Sequence, residues 1–205
     1  MCKENKILEA LRVAEQNPLP LLRDEVYHLL QACSHEKDLS NARRIHSLMA
    51  ASNLHAVSVL SDHLIRLFGQ CQSLQDACDA FSLVPKRTVF TWNAIISAHM
   101  NLLKDYNALL LYAHMQKQGV NPNGITFICL LAACSHASLV SEGRKYFEQM
   151  IEHGIKPTWD HFTCMVDLLG RSGYVCEAEQ FAEGRNCLQC EEILRTLLSA
   201  SKIHG

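Results

Sequence analysis

The chain has 205 residues, a formal net charge of −2 and an isoelectric point near 6.6, and 48% of it is hydrophobic. That length suits one compact domain or a short solenoid, and the apolar content excludes a disordered chain. The near-neutral balance excludes the broad basic surface by which free-standing nucleic-acid binders usually hold phosphate, so any such contact must come from a local groove. The ten cysteines sit mostly in apolar runs such as Leu131-Ala-Ala-Cys134. With no secretory signal before them, they read as buried reduced thiols packing as small hydrophobes, not as a disulfide framework. No apolar run approaches membrane-spanning length.

The first segment, Met1 to Gln16, reads as a helix. Its Glu4, Glu9 and Glu15 argue against a transit peptide, which should be poor in acids. The expectation is that the true start is missing or that the chain is a fragment.

From Arg23 onward the sequence repeats itself. Leu29-Leu-Gln-Ala-Cys-Ser-His35 returns as Leu130-Leu-Ala-Ala-Cys-Ser-His136, an offset of 101 that also carries Arg43-Arg44 onto Arg144-Lys145 and Gly69 onto Gly170. This period divides into units of 35, 31 and 35 residues: 23–57, 58–88 and 89–123, with the cycle restarting as 124–158 and 159–192. Each unit reads as two helices. In the third, Trp92 to Met100 is apolar at helical length, and Asp105 to Gln118 carries Ala108, Leu109, Tyr112 and Met115 on one face. Gly119 suits a left-handed cap and Pro122 blocks continuation; Gly154 and Pro157 repeat the pattern. A pair of short helices cannot bury its apolar face alone, so stacked neighbours must do it, giving an all-α ladder with one concave surface.

These residues resemble the pentatricopeptide-repeat proteins of plants, in the class whose motifs cycle through long, short and standard types. Phe90-Thr-Trp-Asn-Ala-Ile-Ile96 and Gly119-Val-Asn-Pro-Asn123 are similar to the ends of a standard motif, and His161 to Arg171 resembles a short one. Ile193 to Gly205, ending Ile203-His-Gly205, resembles the opening of a C-terminal extension motif that continues further in the family. The resemblance implies a right-handed superhelical solenoid of helix–turn–helix repeats, with residues 1–22 as a partial repeat or cap, five repeats over 23–192, and the extension from 193–205. Leu103 and Ser138 stand where the family usually has glycine between its two helices, and Leu194 replaces a common tryptophan.

The function implied is sequence-selective binding of single-stranded RNA, one base per repeat, in organellar RNA processing or cytidine-to-uridine editing. The compartment implied is mitochondrion or chloroplast, and the partners implied are RNA and a separate deaminase or other editing-factor proteins, with no membrane association. Family members touch the base edge with a side chain early in the first helix and with the last residue of the motif. Those positions are Asn93 with Asn123, and Asp62 with Thr88, while Phe90 and Ile125 would sandwich the base. An Asn amide both donates and accepts and can meet a pyrimidine edge, whereas ionised Asp62 only accepts and repels phosphate. Equally, Asn93 could decorate its helix and Asn123 could sit in a Pro-Asn turn. Thr163 is the matching position of the last short unit, and Tyr27 and Ile128 carry little information.

A zinc deaminase needs His-x-Glu with Cys-x-x-Cys, and none of the eleven histidines precedes a glutamate at that spacing. Cys187-Leu-Gln-Cys190 supplies two of four zinc ligands, which Cys176 and His161 would have to complete. Cys134 and His136 recur as Cys33 and His35, which points to packing and not to a nucleophile. Arg43-Arg44 and Arg144-Lys145 read as a solvated face before phosphate contacts. The chain is therefore expected to be no enzyme and to need no cofactor or metal. A protein-interaction scaffold and a non-autonomous fragment of a longer editing factor are the alternatives to the RNA reading.

Overall fold

The computed structural model describes residues 2–16, 21–184 and 191–204, which form twelve α-helices, one 3-10 turn and no strand. The chain divides into two compact units, one ending at Leu102 and the other beginning at Leu103.

In the first unit, α1 (Cys2–Gln16) packs on α2 (Arg23–Glu36) and α3 (Leu39–Ala51); α4 (Ser58–Gln70), α5 (Leu74–Ser82) and α6 (Val89–Asn101) follow. The first helices of the successive hairpins, α2, α4 and α6, pack side by side, and α3 and α5 lie against them as a second layer. The short 3-10 turn Leu54–Ala56, which the sequence pattern did not signal, links α3 to α4. Leu60, Leu64, Ile65 and Phe68 of α4 are fully buried, each contributing about 1.5–3 kcal/mol of transfer free energy. Gly69 allows a close approach of α4 and α6, since a Cβ there would stand 2.8 Å from the Ala98 Cβ.

The second unit repeats the arrangement. Here α7 (Asp105–Lys117), α9 (Val140–Glu152) and α11 (Val175–Gly184) form the second layer, against α8 (Gly124–His136), α10 (Trp159–Arg171) and α12 (Glu191–His204). Val166, Leu169, Ala178, Ala182, Ile193 and Leu197 form one buried cluster that ties α10 and α11 to α12. α12 runs through the boundary expected at residue 192, as one helix.

Two backbone rules generate the hairpins. The residue between the two helices takes left-handed dihedrals each time: Lys37, Gln72, Leu103, Ser138 and Gly173, with φ of 52°, 59°, 54°, 55° and 85°. Only the last is glycine, so Leu103 and Ser138 keep the geometry that glycine adopts freely, at a steric cost of about 1–2 kcal/mol each. Five residues further on stand Ala42, Ala77, Ala108, Gly143 and Ala178, all small and all buried. Gly119 and Gly154, with φ of 71° and 74°, end α7 and α9, and the amides of Val120 and Ile155 return to the carbonyls of Met115 and Met150.

The second rule concerns the start of each first helix. The third residue of α2, α6, α8 and α10 accepts a hydrogen bond from the backbone amide of the preceding N-cap: Glu25 from Leu22 at 2.8 Å, Thr91 from Thr88 at 3.1 Å, Thr126 from Asn123 at 3.1 Å and His161 from Thr158 at 3.1 Å. Such boxes satisfy amides that a helix start leaves without intrahelical partners. The last residue of one repeat is thereby the cap of the next.

Candidate nucleic-acid interface

The fifth residue of each first helix marks one register. In the first unit these are Tyr27, Asp62 and Asn93; in the second, Ile128 and Thr163. Asp62 is 6% exposed and its Oδ1 has no hydrogen-bond partner among the described residues. Burial raises its carboxyl above the ordinary aspartate value, opposed by a hydrogen bond from Thr91 and by the charge of Arg66. Thr91 also accepts from the Thr88 amide, and the two threonine hydroxyls lie 3.2 Å apart. Asp62 and Thr88, paired by the sequence argument, are thus joined through Thr91 across the α4–α6 seam, and Asp62 is a buried group more than a free anion. Asn93 is buried at 6% exposure on α6. Tyr27 meets the His63 ring edge-on at 5.2 Å, and Thr163 donates to the Trp159 carbonyl at 2.9 Å.

Asn123 is the N-cap of α8. Its Oδ1 accepts from the Thr126 amide and from the Thr126 hydroxyl, both at 3.1 Å, so its acceptor oxygen serves the cap. Thr88 is the cap of α6 in the same way. These two side chains therefore have a structural duty whether or not they meet a base.

The second residue of the first helices carries the apolar surface. Phe90 on α6 and Ile125 on α8 are exposed, and so is Val59 on α4, which the sequence argument passed over. Counting two residues into each motif would have found it, because its exposure follows from the shared register. At the same position α2 and α10 have Asp24 and Asp160.

Three arginines of the second layer are paired. Arg43 bonds Asp76 on the next second helix at 2.8 Å, Arg144 bonds Glu177 likewise, and Arg44 bonds Glu15 at 2.7 Å. The two-copy repetition of these arginines is a repetition of repeat-to-repeat contacts.

The thiols divide. Cys33, Cys129 and Cys134 are buried, with burial pushing Cys33 and Cys134 up to about 12 and Cys129 to about 11. Cys71, Cys78 and Cys164 are half-buried and Cys176 is exposed, so the expectation of wholly buried thiols fails at these four. Cys134 is a poor nucleophile at neutral pH, and His136 turns to Asp105, with Nδ1 3.3 Å from its carboxylate. His161 has both ring nitrogens engaged: the Thr158 amide donates to Nδ1, which leaves the ring proton on Nε2 for the Gly124 carbonyl at 2.9 Å. Cys187 and Cys190 lie outside the described residues. Among the described residues no cluster of three metal-ligating side chains occurs, and no helix is long and apolar enough to cross a membrane.

Helical hairpins of this register, capped by the last residue of the preceding repeat, define a helix–turn–helix repeat protein. Sequence comparison agrees: the PPR repeat family matches residues 87–136, and a PPR repeat matches residues 125–155. The pentatricopeptide repeat-containing protein At4g30700 of Arabidopsis thaliana is 33% identical over 97% of this chain, and At4g14820 of the same plant is 34% identical over 96%. This chain covers 25% and 28% of those proteins, about a quarter of their length. The fold is also that of the pentatricopeptide repeat protein PPR10 in complex with an 18-nt psaJ RNA element, with TM-score 0.66, 18% identity, and coverage of 95% of this chain and 31% of that one. The PPR domain of Arabidopsis thaliana protein-only RNase P 1 in complex with tRNA gives TM-score 0.63 at 12% identity, over 86% of this chain and 97% of that one. The chain belongs to the pentatricopeptide-repeat family.

Proposed function

We propose that the chain binds single-stranded RNA along its first-helix layers, as a specificity element and not as a catalyst. The observation that carries this reading is the register of Val59, Phe90 and Ile125, exposed apolar side chains at the second position of three first helices. Each stands three residues before the fifth-position side chain, on the same helix face. A base stacks on such a platform without regard to its identity, at about 1–3 kcal/mol for an aromatic ring. Aliphatic Val59 and Ile125 give less than Phe90. Selectivity then rests on the polar edges beside the platforms: Asn93, and Asp62 with Thr88, in the first unit, and Asn123 in the second. Because Asn93 shows only a small exposed edge and the Asn123 oxygen is held by its cap, discrimination is modest. A good bidentate base contact gives about 1–3 kcal/mol, and these residues offer less.

The RNA-bound relatives in fold support the ligand class, and the Arabidopsis relatives support service in an organelle. One of them, At1g06140, is named as mitochondrial. Within that setting the reading extends to an RNA-processing or cytidine-to-uridine editing factor, in a mitochondrion or chloroplast, that relies on a deaminase or other editing protein elsewhere.

Titration with labelled single-stranded RNA libraries at two salt concentrations tests the reading. Wild type should enrich a pyrimidine at one position, Asn93→Ala should lose that preference, and Phe90→Ala should lose affinity for all sequences. Binding that is blind to sequence, unchanged by Phe90→Ala and abolished by salt would refute it.

A further inference from the structure

Five second helices in one chain act as controls for one another. Three and seven residues after the left-handed turn, the outward positions hold Ser40 and Arg44 on α3, Gln75 and Asp79 on α5, Ser141 and Lys145 on α9, and Cys176 and Gln180 on α11. On α7 the same positions hold Tyr106 and Leu110. With Leu103 in the turn itself they make one row of apolar side chains along the outer face, 73%, 65% and 61% exposed at Leu103, Tyr106 and Leu110.

α3 and α5 divide into a buried apolar face and a polar outer face, as a half-buried helix should, and α9 does so except at Ile151, which is 50% exposed. α7 does not divide in this way: Ala108, Tyr112 and Met115 are buried on its inner side, while Tyr106 and Leu110 face water. Isolated exposed leucines need no explanation, but three in a row at positions that are polar or small in every other repeat do.

The charges on the α7 face are of one sign. Lys104 and Lys117 flank the row and are exposed without an ion-pair partner among the described residues, and His114 continues it by one turn. Asp105, the acid of this helix, is buried and turned to His136.

The geometry points to the outer face of α7 as a docking surface for a protein partner: a short apolar segment flanked by carboxylates, its apolar side chains seated on Leu103, Tyr106 and Leu110 and its acids on Lys104 and Lys117. Tyrosine is well suited to such a role, since it offers large contact area at small entropic cost. The surface lies on the second-helix layer, so it can be occupied independently of RNA on the first.

The test uses a displayed library of short random peptides, selected on the wild-type chain and counter-selected on Tyr106→Ser/Leu110→Lys, which installs the residues α9 carries at these positions. Selected peptides should combine two or more large apolar residues with acids on their flanks. Their affinity should fall roughly tenfold or more in the counter-selecting variant and several-fold in Lys104→Glu/Lys117→Glu, with circular dichroism and RNA binding unchanged in both. Failure to enrich any peptide against the double variant would overturn the proposal. So would selected peptides that are basic, or that bind Lys104→Glu/Lys117→Glu equally well. Concentration-dependent dimerisation abolished by Leu110→Lys would reassign the face to a second copy of this chain, and loss of RNA affinity in Tyr106→Ser/Leu110→Lys would reassign it to RNA.

Discussion

Replacing Gly69 by alanine places a methyl group 2.8 Å from the Ala98 Cβ and 3.1 Å from its Cα, with no long side chain able to swing aside. Ordinary carbon–carbon contact is about 3.5–4.0 Å, so α4 and α6 must separate by the better part of an ångström. Overpacking of this kind costs about 1–3 kcal/mol, while alanine at a helix interior returns about 0.8–1.0 kcal/mol over glycine. Gly69→Ala is therefore expected to be destabilising by about 0–2 kcal/mol, despite its better helix propensity. Ala98→Gly alone should cost about 2 kcal/mol, from propensity and one buried methyl. The combination Gly69→Ala/Ala98→Gly moves the methyl across the seam: propensities cancel and the clash is gone. It should lie within about 1 kcal/mol of wild type, where simple addition gives a loss of about 2–4 kcal/mol. Urea unfolding followed by circular dichroism measures all four proteins. Additive behaviour would refute the claim that one close approach sets the spacing of these helices.

Leu103→Gly should stabilise the chain by about 1 kcal/mol, because it relieves a left-handed leucine at a solvent-exposed turn; a lower thermal midpoint would refute this. Stability should fall on acidification. Burial lowers His46, His55, His63, His99 and His161 below the ordinary histidine value. The unfolded chain then binds more protons than the folded one, so their contribution is full above about pH 6.5 and is lost as pH falls through the lowered folded values. Urea midpoints compared at about pH 7.5 and 5.5 check the sign, and His161→Gln should flatten the dependence. Arg43→Ala and Arg144→Ala should leave the salt dependence of RNA binding unaltered, since both guanidiniums are held by acids of the next repeat. A decrease of the slope by about one would mean that either arginine meets a phosphate.

The hairpins were legible because their signals are local and recur. The first helices α2, α4, α6, α8 and α10 begin at Arg23, Ser58, Val89, Gly124 and Trp159. Gly119 and Gly154 announced the left-handed ends of α7 and α9 through the one residue type that takes those dihedrals without strain. Leu103 and Ser138 take similar dihedrals with no such signature. There the register of the repeat, and not residue chemistry, locates the turn.

The candidate site was legible as a list of positions but not as an environment. Sequence placed Asp62 and Asn93 at the fifth position, and nothing in their identity told that both are buried, or that Thr91 bonds Asp62 while also capping α6. Asn123 shows the limit most clearly. An asparagine after proline is equally a base reader, a turn residue or a helix cap by composition, and only the 3.1 Å bonds from Thr126 fix the last of these. The cap draws on the side-chain oxygen of Asn123. The consequence is that Asn123→Ala removes a cap, at about 1 kcal/mol of stability, whatever it does to RNA. Asn123→Asp keeps an oxygen for the cap and replaces the amide beside it, so it is the substitution that separates the two roles. If Asn123→Asp preserves stability and shifts base preference, the residue reads; if it preserves both stability and preference, the residue does not read.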